Sequence, residues 1–457
     1  MRFRLILPAL LVVSPLFSQA LTPERMAQLE AACPQDGPFR ALRNALAVSD
    51  GRKLAQDWAK MTAVDAHFTK RLPDEPAAAQ MSSGRCWMFS GLNLFRRTAA
   101  NKLGIENLEL SQNYLFFYDK LEKANLYLEA IELSRDKPHT DRRVEFLLST
   151  PVQEGGNWQG FADLVKKYGV VPKAVMPETY SSSNSGAMNQ VLDLRLKAAG
   201  VRIRGARDSA EREGLKLQAL KDVYRILAMH LGVPPTRFTW RYENKDKHLS
   251  PYKTWTPQEF YKEAIGESLD DFVALYSIPT LPFLRKFEID LDRALVDRPN
   301  MTFVNCSLDV LKEAAKRCLL GDHLVWFGAD VSQDMVSDEA LMMPGIRDFT
   351  SLYGMDFAMD RKGLFETRRS VPNHNMVFTG IDLTPEGRPV KWLVENSWGE
   401  RGGKKGYYTL VDGWFDQFVQ VVVVPRAFVP KAVLDVFGTQ AETLPPWDPM
   451  MSALDFE

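Results

Sequence analysis

Net charge is almost absent from this chain. Its 57 Lys and Arg against 58 Asp and Glu leave −1 at neutral pH. No block of consecutive basic residues interrupts that balance, so there is no electrostatic case for nucleic acid as a partner. Cysteine is scarce: Cys33, Cys86, Cys306 and Cys318 are all there is. No two of them stand at metal-ligand spacing, so no zinc site is expected and no metal or other cofactor is called for. Internal repeats and low-complexity tracts are missing too. Beyond the first residues there is no run of about 18 apolar positions, which is what a membrane-spanning helix needs. What is present is ordinary for a globular protein with a large core: 457 residues, 45% hydrophobic and 25% charged.

The N-terminus has its own signature. Met1-Arg2-Phe3-Arg4 is a short basic start, Leu5 to Phe17 is almost wholly apolar, and Ser18-Gln19-Ala20 closes with small residues where a signal peptidase reads. Residues 1–20 are therefore expected to be a secretory signal peptide cleaved near Ala20. The mature chain is then secreted or periplasmic, with no stable membrane anchor. Export permits disulfides. With Cys86 reserved for the role argued below, at most one bridge is left among Cys33, Cys306 and Cys318, and the sequence does not choose it.

Periodicity divides the remainder. From Cys86, the residues Trp87, Phe89, Leu92, Leu94, Phe95, Ala99 and Leu103 recur at helical spacing, and Gly104 supplies a stop. A second helix is expected from Ser111 and a third over Phe161 to Tyr168, ending at Gly169. Ser181 to Asp290 reads as charged and helix-rich. From about Asn300 the text changes to β-branched and aromatic runs: Leu324 to Phe327, Asn375 to Leu383, Val390 to Glu395, Gly406 to Val411 and Val419 to Val424. Helices first and an antiparallel sheet last make an α+β architecture. The proline-rich Leu444 to Met450 predicts an extended arm.

Three short stretches carry chemistry. In Gln80-Met81-Ser82-Ser83-Gly84-Arg85-Cys86-Trp87 a thiol stands in the first turn of a helix. There, N–H groups that lack carbonyl partners and the positive dipole end favour thiolate, the nucleophilic form. The Cys86 N–H and the Gln80 side-chain amide can both donate to an oxyanion. In Val371-Pro372-Asn373-His374-Asn375 a histidine opens an apolar strand, a rigid seat for a base. In Glu395-Asn396-Ser397-Trp398-Gly399 an asparagine ends a strand; its oxygen can orient an imidazole, with Trp398 shielding that bond. Taken singly, each has a plainer explanation: a buried cysteine, a core histidine, a turn asparagine. Their joint occurrence in this order carries the chemistry.

The order resembles the papain superfamily of cysteine peptidases, and the text between the motifs narrows the resemblance to the bleomycin hydrolase and aminopeptidase C family. The supporting stretches include Leu110-Ser111-Gln112-Asn113-Tyr114, Gly155-Gly156-Asn157-Trp158, Lys167-Tyr168-Gly169-Val170-Val171-Pro172, Met176-Pro177-Glu178-Thr179-Tyr180, Val325-Trp326-Phe327-Gly328-Ala329 and Leu444-Pro445-Pro446-Trp447-Asp448-Pro449-Met450. It covers nearly everything from Asp65 onward. The resemblance implies a papain-like core with a large helical insertion and a C-terminal arm in the active-site cleft. Its catalytic residues would be Cys86, His374 and Asn396, with Gln80 in the oxyanion hole. Gly155 and Gly156 would bind substrate backbone, and the terminal carboxylate of Glu457 would meet the substrate's ammonium. It also implies peptide substrates and a homo-oligomer, a hexameric ring.

The expected parts are then residues 1–20 as signal peptide, 21–180 as the N-terminal segment and helical half with the nucleophile, and 181–300 as a mostly helical insertion. Residues 301–440 would form the β half with His374 and Asn396, and 441–457 the arm. The expected function is an exported thiol aminopeptidase acting through an acyl-enzyme. Two alternatives stay open at this point. The tail Met451 to Glu457 is longer than the resemblance implies, which admits an endopeptidase or a tail-gated zymogen. A non-catalytic peptide-binding or assembly protein of the same fold is the other.

Overall fold

The computed structural model describes residues 20–149 and 151–450. The proposed leader and the tail with Glu457 lie outside these residues. The chain divides at Gln56 into two units. The described part of the first has helices Pro23–Ala32, Gly37–Val48 and Gly51–Leu54, started by side-chain caps from Thr22, Asp36 and Asp50.

The second unit opens with a short helix, Trp58–Thr62, and then holds the helix that the sequence announces most clearly. Helix α1 spans Cys86–Leu103 and is closed by Gly104 at φ 65°, a left-handed turn that only glycine adopts without strain. Helix α2, Gln112–Leu133, starts on the Ser111 cap, and α3, Trp158–Tyr168, on the Asn157 cap. Two long helices follow, α4 over Gly186–Gly205 and α5 over Ser209–Leu231.

Helix then gives way earlier than expected. Phe238–Trp240 and Lys253–Trp255 pair as a small sheet. Strands β1, Phe272–Tyr276, and β2, Arg285–Ile289, already belong to the main sheet. The expected helical insertion 181–300 is thus helical mainly up to Leu231, and the β half starts near Phe272. The five-residue run Phe272 to Tyr276 is too short for any periodicity to distinguish it from a buried helical turn.

The main sheet also holds β3 (Thr302–Asn305), β4 (Val325–Ala329), β5 (His374–Leu383), β6 (Pro389–Glu395), β7 (Tyr407–Val411), β8 (Val419–Pro425) and β9 (Glu442–Leu444), besides the two-residue strands Lys70–Arg71, Met335–Val336 and Leu341–Met342. They join in the order β9-β2-β3-β1-β8-β4-β5-β6-β7, within a sheet of 12 strands. The sheet is mainly antiparallel, as expected. It also holds parallel pairs the sequence did not suggest: β1 with β3, β9 with β2, and β7 with Leu341–Met342. The start of the proline-rich arm is therefore an edge strand.

Alternation explains why the central strands read as unbroken apolar text. Trp326, Val377 and Val421 join a core cluster with α1, α2 and α3. Their neighbours Phe327, Phe378 and Val422 join a second cluster with Trp392 and Phe415. Successive side chains point to opposite faces, and both faces are covered. The Phe327 and Phe378 rings stack at 3.7 Å across the β4–β5 pair. No disulfide joins the four cysteines: Cys306 and Cys318 are buried with thiols, and Cys33 is exposed. Among the described residues no helix is long and apolar enough to cross a membrane.

Candidate active site

Helix α1 is pinned to the sheet at its first two turns. Ser90, one turn after Cys86, donates its hydroxyl to the Asn375 carbonyl at 2.8 Å, and Trp326 of β4 donates to the Trp87 carbonyl at 3.3 Å. Further along, Asn93 and Arg96 both donate to the buried Glu395 carboxylate of β6, at 2.8 and 2.6 Å. These bonds set the N-terminus of α1 against the start of β5. Arg85, the N-cap, offers that first turn no side-chain acceptor. The sulfur of Cys86 therefore shares its surroundings with helical N–H groups, which favour negative charge.

The β5–β6 register brings His374 and Asn396 together. Val377 pairs with Glu395, so Asn396 leaves β6 level with the opening residues of β5, within side-chain reach of His374. His374 Nε2 and Asn396 Oδ1 are 2.7 Å apart. The Ser397 backbone N–H donates to the same oxygen at 2.7 Å. An N–H can only face an acceptor, so the amide orientation is determined. Nε2 must then carry the ring proton, which leaves Nδ1 as the nitrogen with a lone pair. The Trp398 ring lies 5.1 Å from the imidazole, centroid to centroid, tilted by 33°. Burial pushes the His374 imidazole down to about 4, with the Asn396 bond opposing.

Gln80 is brought in by a short zipper. Its N–H donates to the Ser397 carbonyl at 2.8 Å, and Gly399 N–H donates to the Ala78 carbonyl at 3.0 Å. The Gln80 side chain accepts from Ser397 Oγ at 2.6 Å and donates to the Ser83 carbonyl at 2.7 Å. Its amide has two N–H groups, so one bond to Ser83 leaves a second hydrogen to give.

Gly155 and Gly156 form the opposite wall. The Trp87 indole donates to the Glu154 carbonyl at 2.9 Å, and Gly155's own carbonyl accepts from Lys123 at 2.7 Å. A methyl group on Gly156 would run into the Trp87 ring, so only glycine fits this approach. Cys86, His374, Gln80, Gly155 and Gly156 all line one cavity. Met450, the last described residue, lines it as well and is 3% exposed. Trp398 stands behind the imidazole; Glu457 lies outside the described residues.

Sequence reasoning missed several residues that hold these groups. Glu154 accepts from the Gly84 N–H at 2.5 Å and from Asn189 of α4 at 2.7 Å, with Lys120 at 3.6 Å. Those donors and the Lys120 charge outweigh burial and hold its carboxyl at about 2. Arg85 is fully buried, paired with Glu178 at 2.8 Å and stacked on the Phe89 and Phe116 rings. An acid directly before Gly155-Gly156 was the available signal for Glu154; nothing local marked its partners, which are distant in sequence.

The arrangement provides a sulfur at a helix start, an imidazole of known tautomer and amide donors around one cavity: the parts list for acyl transfer from an amide. Comparison with known proteins agrees. The family model described as Peptidase C1-like matches residues 20–451. Aminopeptidase C of Streptococcus thermophilus is 37% identical over 84% of this chain and 88% of its own. Human bleomycin hydrolase is 33% identical over 95% of this chain and 98% of its own. Among solved structures, that of PepW from Lactobacillus rhamnosis superposes with a TM-score of 0.91 at 36% identity, covering 94% of this chain and 99% of that one.

Proposed function

The chain belongs to the Peptidase C1-like family and is a cysteine peptidase, and from that premise we propose that it is an exported thiol aminopeptidase that shortens small peptides from the amino end. One observation carries the residue assignment: the Asn396 oxygen holds the proton-bearing Nε2 of His374 at 2.7 Å, while the cavity that contains His374 also contains Cys86 and Gln80.

In this reading Cys86 Sγ attacks the scissile carbonyl carbon. The S–C bond forms as the carbonyl oxygen takes up charge against the Cys86 N–H and the Gln80 amide. Burial alone favours a neutral His374, so the imidazolium form exists only alongside the thiolate. That proton passes from the ring to the leaving nitrogen as the C–N bond breaks, giving an acyl-enzyme. His374 then takes a proton from water, which attacks the thioester and releases the acid. The bare backbone at Gly155 and Gly156 accepts the substrate main chain edge-on.

The aminopeptidase mode is supported by similarity to proteins named Aminopeptidase C and by Met450 lining the catalytic cavity, which starts the tail there. We propose that the Glu457 carboxylate meets the substrate ammonium, and that the leader directs export. A homo-oligomer is supported by large apolar side chains left exposed on α4 and α5, among them Leu194, Val201, Leu217 and Met229.

Hydrolysis of an aminoacyl fluorogenic amide tests the chemistry. Cys86→Ala is expected to remove it by at least about 10³-fold. Full retention by that variant would overturn the assignment, and blocking the substrate's amino group with acetyl tests the mode, since an aminopeptidase must lose it.

A further inference from the structure

Directly after the base stands a side chain to which no role has been given. Asn375 is the second residue of β5, and its Nδ2 lies 3.6 Å from Cys86 Sγ, at hydrogen-bond distance for a sulfur acceptor. Two features hold the carboxamide there. Its own carbonyl oxygen on the main chain is clamped by Ser90 of α1 at 2.8 Å, which fixes the strand against the nucleophile helix. Its cross-strand partner on β4 is Gly328. A methyl group built on Gly328 would come within 2.8 Å of Asn375 Oδ1 and 2.7 Å of Val421. The glycine therefore leaves the space in which the amide oxygen rests, and with the oxygen turned toward β4 the NH₂ end is turned toward the sulfur. Asn375 also lines the same cavity as Cys86.

We propose that the Asn375 carboxamide is a working part of this site, donating a hydrogen bond to the Cys86 sulfur that stabilises the thiolate, with Gly328 as the notch that keeps the donor aimed. The inference rests on Cys86 being the nucleophile of the proposed peptidase. It makes the sulfur's charge depend on more than the imidazole: a neutral donor, unaffected by pH, faces the same atom. The other charged or titratable groups next to it are His374 on β5, Arg85, which is spent on Glu178, and Glu154, which accepts from Gly84 and faces Lys120. A hydrogen bond to an ionised group is strong enough to move a thiol titration by about one pH unit.

The test reads the sulfur rather than the peptidase reaction. The full-length protein is alkylated with iodoacetamide over a pH series, and modification is followed by mass at the peptide containing Cys86. In Asn375→Ala the midpoint of the rate profile is expected to rise by about one pH unit, with a roughly tenfold slower reaction below it. Asn375→Asp keeps the shape and places a carboxylate at the sulfur, so its midpoint should rise further. Both variants should unfold thermally near the parent temperature, since the group is half-exposed. Midpoints unchanged in both folded variants would overturn the proposal. If the parent shows the low midpoint and the variants shift, yet no aminoacyl amide is hydrolysed, the aminopeptidase reading fails and this one stands.

Discussion

The two walls of the cavity that holds Cys86 and His374 are built from different materials. On the nucleophile side, the supports are buried charges: Arg85 with Glu178, and Glu154 with the Gly84 N–H and Lys120. On the base side, the immediate neighbours of His374 are neutral: the Asn396 amide, the Ser397 main chain and the Trp398 ring. The loop before Cys86 has no regular secondary structure, so its shape depends on two carboxylates that reach it, Glu154 beside the glycine pair and Glu178 ahead of α4. The imidazole sits on a strand and needs no such help. A fixed charge beside it would set its protonation independently of the sulfur, whereas an amide aligns the ring and leaves its charge coupled to the thiolate. Rigidity on one side is thus bought with ion pairs, and responsiveness on the other is kept by leaving them out. The Arg96–Glu395 pair lies behind Asn396 and links α1 to β6.

That contrast can be broken from either wall. The largest effect is expected for Glu154→Gln. Holding this carboxyl at about 2 instead of its ordinary 4.5 contributes on the order of 3 kcal/mol at neutral pH. Because the folded-state value is depressed, the contribution is present above about pH 4.5 and is lost as pH falls through about 2. The variant should be less stable near pH 7 by that amount in urea unfolding, and the gap should close in acid. A gap that persists undiminished in acid would show that the carboxylate charge is not the cause.

Asn396→Ala comes next and acts on chemistry rather than stability. Releasing the Nε2–H leaves the ring free to turn and to change tautomer, and kcat should fall about 10²-fold, with KM for an aminoacyl amide little changed. A fall in KM-dominated terms alone would place Asn396 in substrate binding instead.

Gly156→Ala is the smallest of the three. The added methyl meets the Trp87 ring, so the loop or the indole must move, at a cost of about 1–2 kcal/mol in stability. Because Trp87 adjoins Cys86, a several-fold loss of kcat/KM should accompany it. An unchanged kcat/KM in a destabilised protein would mean that the wall gives without disturbing the sulfur.

Much of this was legible along the chain. Apolar residues at helical spacing from Trp87 to Leu103 and the stop at Gly104 marked α1 to the residue. The strands that hold His374 and Asn396 were visible as β-branched and aromatic runs within a residue or two of their ends. The strand nature of Phe272 to Tyr276 was not legible, because a short apolar run has no period to read and its pairing partners, β8 and β3, are far along the chain. Nor was Glu154's role, since a carboxylate earns burial only from donors contributed by other segments.

Residue type and order alone named a thiol at a helix start, a histidine at a strand start and an asparagine at a strand end, because local backbone preferences and side-chain chemistry are carried by the polymer itself. Register and packing decided the rest: which imidazole nitrogen bears the proton, which acids brace the loop before Cys86, and that the amide of Asn375 faces the sulfur. Those outcomes depend on which atoms meet across segments 22 to 289 residues apart, and no stretch of neighbouring residues contains that information.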